Sequence, residues 1–353
     1  MEQRESGLDL VRCLALLFVV SFHGFLNNGY YYAPQVGFSM WLAGSARWLS
    51  TSCIGLFLML TGYLKSPRTG LWDCWRSGVP VLAGYLLAAA VSIPLRQFAL
   101  GEARSLGDWI EKLFGFSAVY YGWYVGMFLG LTLLSPFVNR SLERLSGREL
   151  LALAGVLLVL TALPGAFPGV SLPRDWRNLY PLSDYVLGAI VRRRKPKLRP
   201  WIGLTAALGL AAALGGATVL STDGPLKEAA TWEFADLWIT ALAALLFLSL
   251  YRLRLPAPLA RVLRFAAGGC YGGYLLSYLL DAWCYRLLPQ WRNPAGYGKL
   301  FLCITVPIFL LSVLAGRALE GAAARLTAGV RCKDRTRSEA PAHSGPRSPR
   351  PGW

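Results

Sequence analysis

The sequence is short of ionisable side chains. Only 16% of its 353 residues are Asp, Glu, Lys or Arg and two are histidines, whereas 55% are hydrophobic. A soluble globular domain carries about 25% charged residues, and the mean hydropathy of +0.42 also lies on the apolar side for such a domain. The composition therefore argues against a water-soluble protein.

Metal-binding and disulfide patterns are absent from the sequence. The chain has seven cysteines, an odd number, and no two of them form a C-x-x-C pair. Most fall inside apolar runs, where a thiol packs as a small hydrophobe. We therefore expect no metal site. The net charge of +17 comes without basic stretches interleaved with stacking aromatics, so we expect no nucleic-acid partner either.

What the chain has in abundance is apolar runs of membrane-spanning length. A bilayer core requires about 20 apolar residues per helix, and windows of that length recur along nearly the whole chain. We predict an all-α polytopic integral membrane protein with about ten transmembrane helices in one bundle. The predicted helices cover residues 8–26, 40–64, 78–99, 119–139, 147–164, 178–191, 201–220, 235–251, 265–287 and 298–319.

The distribution of basic residues predicts the orientation. If the N-terminus is cytoplasmic, most of the 36 Lys and Arg residues fall in cytoplasmic segments, as the positive-inside rule expects. We predict a multi-pass protein of the plasma membrane, surrounded by lipids, with both termini in the cytoplasm. Residues 1–320 would form the transmembrane domain. Residues 321–353 would form a basic cytoplasmic tail, rich in Pro and Ser and expected to be disordered.

The first apolar run contains three of the scarce ionisable residues, Asp9, Arg12 and His23. At 100° per residue, Arg12 and His23 are three helical turns plus about 20° apart, and Asp9 can contact Arg12 three positions later. All three project from one stripe, with about 16 Å between Arg12 and His23 along the axis. Ionisable groups inside a bilayer are costly and usually mark sites. The alternatives are an interfacial ion pair for Asp9 and Arg12, and a merely buried, hydrogen-bonded imidazole for His23.

Arg12 and His23 are residue types that can bind an anion and activate a hydroxyl. An imidazole can accept a proton from a hydroxyl near neutral pH, and a guanidinium presents a fork that suits phosphate or carboxylate. The pair indicates an anionic donor that enters from the cytoplasm and a hydroxyl that is activated deeper in the membrane. Acyl-coenzyme A is such a donor.

Four segments of the chain, taken in order, resemble one family. The opening "RESGLDLVRCLALLFVVSFHG" resembles the first helix of the membrane-bound acyltransferase-3 family, which includes O-acetyltransferases of bacterial surface polysaccharides and carries an arginine, ten residues and a histidine there. The later segments "GLFLMLTGYL", "GWYVGMFLGLTLLSP" and "CYGGYLLSYLL" are similar to family segments in the same order. The late segment usually ends in histidine, and Ser277 stands at that place. The resemblance extends from residue 5 to about residue 320.

The resemblance implies an enzyme that transfers an acyl group, most often acetyl, from cytoplasmic acyl-coenzyme A to a hydroxyl of a cell-envelope glycan or lipid-linked sugar. No bound cofactor is implied, because acyl-coenzyme A is a cosubstrate. By this resemblance His23 would be the general base or a transient acyl carrier, Arg12 would position the donor, and Asp9 would orient Arg12. Two alternatives stay open, a transporter or flippase of a glycan precursor with His23 in a proton relay, and a catalytically inactive membrane module.

Seven further residues are candidates for substrate contacts. Two aromatics at the outer boundary of the fourth predicted helix fit sugar stacking or an aromatic belt. Tyr271 and Tyr274 share one face of the ninth helix with Tyr278 and fit core packing or a pocket lining, and Ser277 stands at the place of the late histidine. Two arginines after the sixth helix fit a topology determinant or a landing site for coenzyme A phosphates. Asp184 and Asp281 could orient a catalytic group, but the sequence names no partner for either. The seven are Trp123, Tyr124, Tyr271, Tyr274, Ser277, Arg192 and Arg193.

Overall fold

The computed structural model describes residues 6–65, 70–167, 172–222, 224–226, 234–288 and 293–328. These residues form α-helices joined by short turns, and no strand occurs among them, which confirms the predicted all-α class. The predicted tail lies outside the described residues beyond residue 328. The α-helices are α1 Ser6–Asn27, α2 Gly37–Thr51, α3 Cys53–Leu64, α4 Leu71–Arg76, α5 Val79–Pro94, α6 Leu106–Phe114, α7 Trp123–Arg144, α8 Gly147–Thr161, α9 Leu163–Ala166, α10 Tyr180–Arg194, α11 Pro200–Ser221, α12 Leu237–Leu250, α13 Ala257–Ala267, α14 Cys270–Leu287, α15 Tyr297–Leu300 and α16 Val306–Leu326.

Helices of membrane-spanning length are present. Five stretches of the described chain are long and apolar enough to cross a bilayer: Ser6–Asn27, Leu71–Ala99, Trp123–Arg144, Pro200–Ser221 and Tyr297–Leu326. The chain is therefore a helical membrane protein, although the predicted count of about ten spans is not confirmed.

Three predicted spans are broken in the structure. The predicted helix 40–64 divides at Ser52 into α2 and α3, 147–164 divides at Ala162 into α8 and α9, and 265–287 divides at Gly268 and Gly269 into α13 and α14. Two adjacent glycines weaken a helix because glycine loses the most backbone entropy on ordering. The structure also contains α6, which apolar runs of membrane-spanning length do not predict because it has only 9 residues. Its start is marked by a capping box between Ser105 and Asp108.

Hydrogen bonds between the helix ends define two opposite ends of the bundle. At one end the Ser6 hydroxyl donates to the Leu253 carbonyl (3.0 Å), and the Tyr251 hydroxyl donates to the Pro196 carbonyl. Arg193 reaches carbonyls at the end of α7 from the end of α10. These contacts join the start of α1 to the ends of α7, α10 and α12, and we call this the N-terminal end. At the opposite, far end, Arg286 donates to the carbonyl of Ala99.

Small residues let pairs of helices approach closely. A Cβ at Gly62 of α3 would lie 2.0 Å from the carbonyl oxygen of Tyr185, and one at Gly188 of α10 would lie 2.0 Å from that of Met59. Both are far below van der Waals distance, and the groups they meet are backbone. Such small-residue contacts are typical of helix pairs in membranes. They hold α3, which lines the site described below, against α10.

We expect Gly62→Val to destabilise the protein by at least about 1–3 kcal/mol, the usual cost of overpacking, because the clashing atom is backbone and cannot turn aside. Thermal unfolding of the purified protein in detergent measures this. Gly155→Val on α8 is the matched control, since nothing lies within 4 Å of a Cβ built there. Equal unfolding temperatures for the two variants would contradict the close approach of α3 and α10.

Candidate active site

The ionisable stripe of α1 has the expected geometry. The Nη1 atom of Arg12 donates to the Oδ1 atom of Asp9 at 3.1 Å, with 23% of the arginine side chain exposed and 3% of the aspartate. His23 is buried near the other end of the same helix. The i, i+3 contact is thus present, and Arg12 reaches open space.

A cavity of about 600 Å³ begins beside Arg12. It is lined by residues of α1, α3, α4, α5, α7, α14 and α16 and is mostly apolar along its length. Four ionisable side chains line it towards the N-terminal end, and three tyrosines line it further in. We call it the first cavity. Those seven residues are Arg12, Lys65, Asp73, Glu320, Tyr124, Tyr271 and Tyr274.

The charged part of the first cavity contains two cations on separate elements. Lys65 follows α3, and its Nζ atom donates to the Ser77 hydroxyl at 2.8 Å. Glu320 accepts hydrogen bonds from the backbone N–H groups of Tyr271 and Gly272, both at 3.1 Å, and so caps the start of α14. Asp73 also lines this part, so it holds two cations, Arg12 and Lys65, and two carboxylates, of which Glu320 already accepts two backbone hydrogen bonds.

The inner part of the first cavity approaches His23 through one layer of aromatic side chains. Tyr124 and Tyr274 line the cavity with ring centroids 5.4 Å apart. The Tyr274 hydroxyl donates to the carbonyl of Tyr121. The Tyr121 ring in turn stacks on the His23 imidazole, with centroids 3.8 Å apart and planes 13° apart. These three rings therefore separate the inner part of the cavity from the imidazole.

The surroundings of His23 are sparsely polar. The Nδ1 atom is buried and makes no hydrogen bond to any described residue. One turn later, the Asn27 amide donates both to the His23 carbonyl (2.9 Å) and to the Oδ2 atom of Asp281. Asp281, which the sequence left without a partner, is therefore tied to α1 at the level of the histidine. Asp184 lies elsewhere, against Gly55 of α3.

A second cavity, of about 450 Å³, lies at the far end. Trp123 and Phe234 face each other across 5.8 Å in its wall, and Phe234 also packs on Phe22, the neighbour of His23, at 5.5 Å. Trp123 and Tyr124 are consecutive, yet they line different cavities. The start of α7 therefore separates the two cavities. The second cavity is lined by Trp123, Met127, Asn178, Tyr180, Pro181, Phe234 and Ala235.

The remaining predicted contact residues occupy other surroundings. Ser277 is fully buried, and its hydroxyl donates to the Tyr274 carbonyl of its own helix at 3.0 Å. Arg193 donates to the carbonyls of Leu142 and Leu145, beyond the lining of both cavities. Arg192 is half-buried next to it on α10. The contacts of Arg193 join α10 to the end of α7, which favours a structural role for this basic cluster.

Sequence reasoning missed residues that the fold brings to the site. Lys65, Tyr121 and Asn27 were not singled out. Asn27 follows His23 by four residues and so shares its helix face, a signal that was available. The pairing of Tyr121 with His23 depends on tertiary structure and has no local signal.

This fold and site define a class of protein: a helical membrane protein with a cavity that is charged at one end, apolar along its length, and directed towards a buried histidine. A family model described as an acyltransferase domain matches residues 5–317. The match covers nearly the whole chain, so the chain belongs to the acyltransferase-3 family, which confirms the resemblance seen in the sequence. No curated protein and no solved structure matches the chain.

Proposed function

We propose that this protein is a membrane O-acyltransferase. It moves an acyl group, most often acetyl, from cytoplasmic acyl-coenzyme A to a hydroxyl of a cell-envelope glycan or lipid-linked sugar. The observation that carries the proposal is the first cavity, which has Arg12 and Lys65 towards the N-terminal end and leads inward towards His23. The location that suits this reaction is the plasma membrane, with the N-terminal end and both termini in the cytoplasm and about ten spans.

The first cavity suits the donor in shape and charge. Coenzyme A has phosphates at one end and a thioester at the end of a long arm. Arg12 and Lys65 supply two cations for the phosphates, and the apolar length beyond them accommodates the arm. The volume lies within the range of about 300–1,000 Å³ that is usual for ligand sites. The axial rise from Arg12 to His23, about 16 Å, brings the thioester end towards the histidine.

The second cavity suits the acceptor. It lies at the far end, and its described lining residues carry no formal charge. The face of an aromatic ring such as that of Trp123 can stack on the apolar face of a sugar. The Asn178 amide can both donate to and accept from hydroxyls. Donor and acceptor would thus approach from opposite ends and meet beside His23.

The reaction follows from this arrangement. His23 accepts the proton of the acceptor hydroxyl as its oxygen bonds to the thioester carbonyl carbon. The carbon–sulfur bond then breaks, and the coenzyme A thiolate leaves and takes up the proton. Alternatively, His23 carries the acyl group briefly before the hydroxyl receives it. Asp9 orients Arg12, and Tyr121 holds the imidazole plane.

Two cavities at opposite ends also fit a transporter or flippase of a glycan precursor, which is the second candidate. A transporter usually has ionisable groups that face each other from several helices. Here three of the ionisable residues lie along α1, and the family is one of acyltransferases. Ser277 at the usual histidine place is the feature that would suit an inactive module.

We expect Lys65→Ala to raise the KM for acyl-coenzyme A about tenfold with little change in kcat. The loss of one charge-assisted hydrogen bond costs about 1.5–3 kcal/mol when fully formed, and solvent reduces that at the open part of the cavity. Initial rates at varied acyl-coenzyme A concentration measure the effect. Lys299→Ala, on α15 at the far end, is the matched control. An unchanged KM in Lys65→Ala would remove Lys65 from the donor site.

The proposal is tested in cells by comparing envelope glycans with and without the gene. Mass spectrometry should find alkali-labile acyl esters only where the gene is present. Identical glycans in both strains would contradict the proposed acceptor class.

A further inference from the structure

A buried arginine organises the connection between α5 and α7 at the far end. Arg96 lies in a π-helical turn, Leu95–Ala99, that continues α5, and only 3% of it is exposed. Its Nη1 atom donates to the carbonyl oxygens of Ser117 (2.9 Å) and Ala118 (2.8 Å). One guanidinium therefore joins the end of α5 to the turn that precedes α7.

The other side of the guanidinium is held by Glu102. The Nε and Nη2 atoms of Arg96 donate to the two carboxylate oxygens at 3.1 and 2.8 Å, which is a bidentate pair. Burial alone would raise the pKa of Glu102, but the hydrogen bonds and charges of Arg96 and Arg104 outweigh it and hold the pKa below its usual range. Glu102 stays ionised at neutral pH, so the pair persists there.

Two aromatic rings complete the surroundings of Arg96. The guanidinium carbon lies 5.1 Å from the Trp109 ring centroid and 5.0 Å from that of Tyr120, within the range of cation–π contacts. Trp109 belongs to α6, and its Nε1 atom donates to Gln97 at 2.8 Å. The guanidinium of Arg96, at the end of α5, thus contacts residue 102, α6 and the turn before α7.

The turn that Arg96 holds carries the ring that covers His23. Phe116 has a φ of +54°, a left-handed conformation that bulky residues rarely adopt. A Cβ at Gly122 would lie 2.3 Å from the Phe116 carbonyl oxygen, so only glycine fits this close approach. Tyr121, directly before Gly122, stacks on His23. A strained turn of this kind persists only where its surroundings hold it, and the two carbonyl contacts of Arg96 lie within it.

We infer that Arg96 is a positioning residue for His23: it fixes the turn 116–122, so that Tyr121 stays flat on the imidazole and the histidine keeps one orientation. Its effect on catalysis rests on the proposed function, whereas its effect on the stacked pair does not. Arg96 lies at the far end, away from Arg12 and Lys65, so donor binding does not depend on it.

The stack can be observed directly because the chain has two histidines. The full-length protein in detergent, labelled with isotope only at histidine, gives two imidazole signals in an NMR spectrum, and His343→Ala assigns them. The Tyr121 ring current shifts the His23 ring protons upfield. We expect Arg96→Ala to lose this shift and Arg286→Ala to keep it. Arg286 is the matched control, since it bonds to Ala99 at the same end of the bundle but does not contact the turn.

Kinetics then separates positioning from folding. Misplacement of a catalytic group by about 1 Å can cost about 100-fold, so we expect Arg96→Ala to lower kcat by about 100-fold while the Kd for coenzyme A is unchanged. If Arg96 acts through Tyr121, the double variant with Tyr121→Ala is no slower than the slower single variant. Arg96→Lys keeps the cation but loses the fork, and it is the variant to measure if Arg96→Ala does not fold. It should change the His23 signal and kcat in the same directions as Arg96→Ala.

A His23 signal that is unchanged in folded Arg96→Ala or Arg96→Lys would overturn the inference. Fully additive losses in the double variant would also overturn it. A wild-type protein without any acyl transfer would instead overturn the proposed function, and the NMR comparison would still decide whether Arg96 holds the stack.

Discussion

Replacement of His23 by alanine is expected to lower acyl transfer by about 10²–10⁴-fold, the usual contribution of a positioned general acid–base group. His23 is the histidine of α1, and the described residues around it offer no second imidazole. Transfer from labelled acetyl-coenzyme A to extracted envelope acceptor, measured with purified variants, gives the size of the loss. Coenzyme A should bind to the variant with the wild-type Kd, because the histidine contacts the reacting end rather than the phosphates.

The matched control for this prediction is His343→Ala. His343 is the other histidine of the chain and lies outside the described residues, in the predicted tail. It should leave transfer unchanged. Full transfer by His23→Ala would remove the histidine from the chemistry and leave the first cavity without a base.

Arg12→Ala is expected to raise the KM for acyl-coenzyme A by about 10–100-fold, because a charge-assisted hydrogen bond to a phosphate is lost. Arg12→Lys should have a smaller effect, since lysine keeps the charge but not the fork. Initial rates and equilibrium titration with coenzyme A measure both variants. Arg261→Ala on α13 is the control, because Arg261 is exposed outside the first cavity. A lower kcat with unchanged KM would contradict a donor contact.

Salt provides a second test of the same contact. Interactions between exposed charges weaken as ionic strength rises, whereas buried contacts are screened less. Arg12 is partly exposed at the cavity. The KM for acyl-coenzyme A should therefore rise with salt in the wild-type protein and less steeply in Arg12→Ala.

The sequence was most informative within single helices. The stripe of Asp9, Arg12 and His23 could be predicted because helical geometry alone determines which positions share a face. The all-α class and the apolar spans could also be predicted, because every backbone polar group must be satisfied inside a bilayer. The roles of these three residues stay predictions.

Contacts between distant segments could not be predicted. Tyr121 reaches His23 through a turn whose shape depends on Arg96, and Asn27 meets Asp281 across 254 positions of chain. The chain also breaks at Gly268 and Gly269, between α13 and α14, where the sequence predicts one continuous span. These features arise from packing and from turn geometry, for which a pattern of apolar residues has no signal.

The structure shows what the Ser277 side chain contacts. At the place of the usual late histidine, its hydroxyl bonds within its own helix and stays buried. Asp281, one turn later on α14, is the polar residue that reaches α1 through Asn27. The proposed chemistry uses His23 together with Asn27 and Asp281 rather than a late histidine.

The most direct test of the proposed function is acyl transfer by the purified protein in proteoliposomes supplied with labelled acetyl-coenzyme A and extracted envelope glycan. We predict an alkali-labile labelled ester on the glycan and release of one coenzyme A per ester, both about 10²–10⁴-fold slower with His23→Ala. Uptake of a glycan precursor driven by a proton gradient, with no acetyl-coenzyme A consumed and no ester formed, would contradict it.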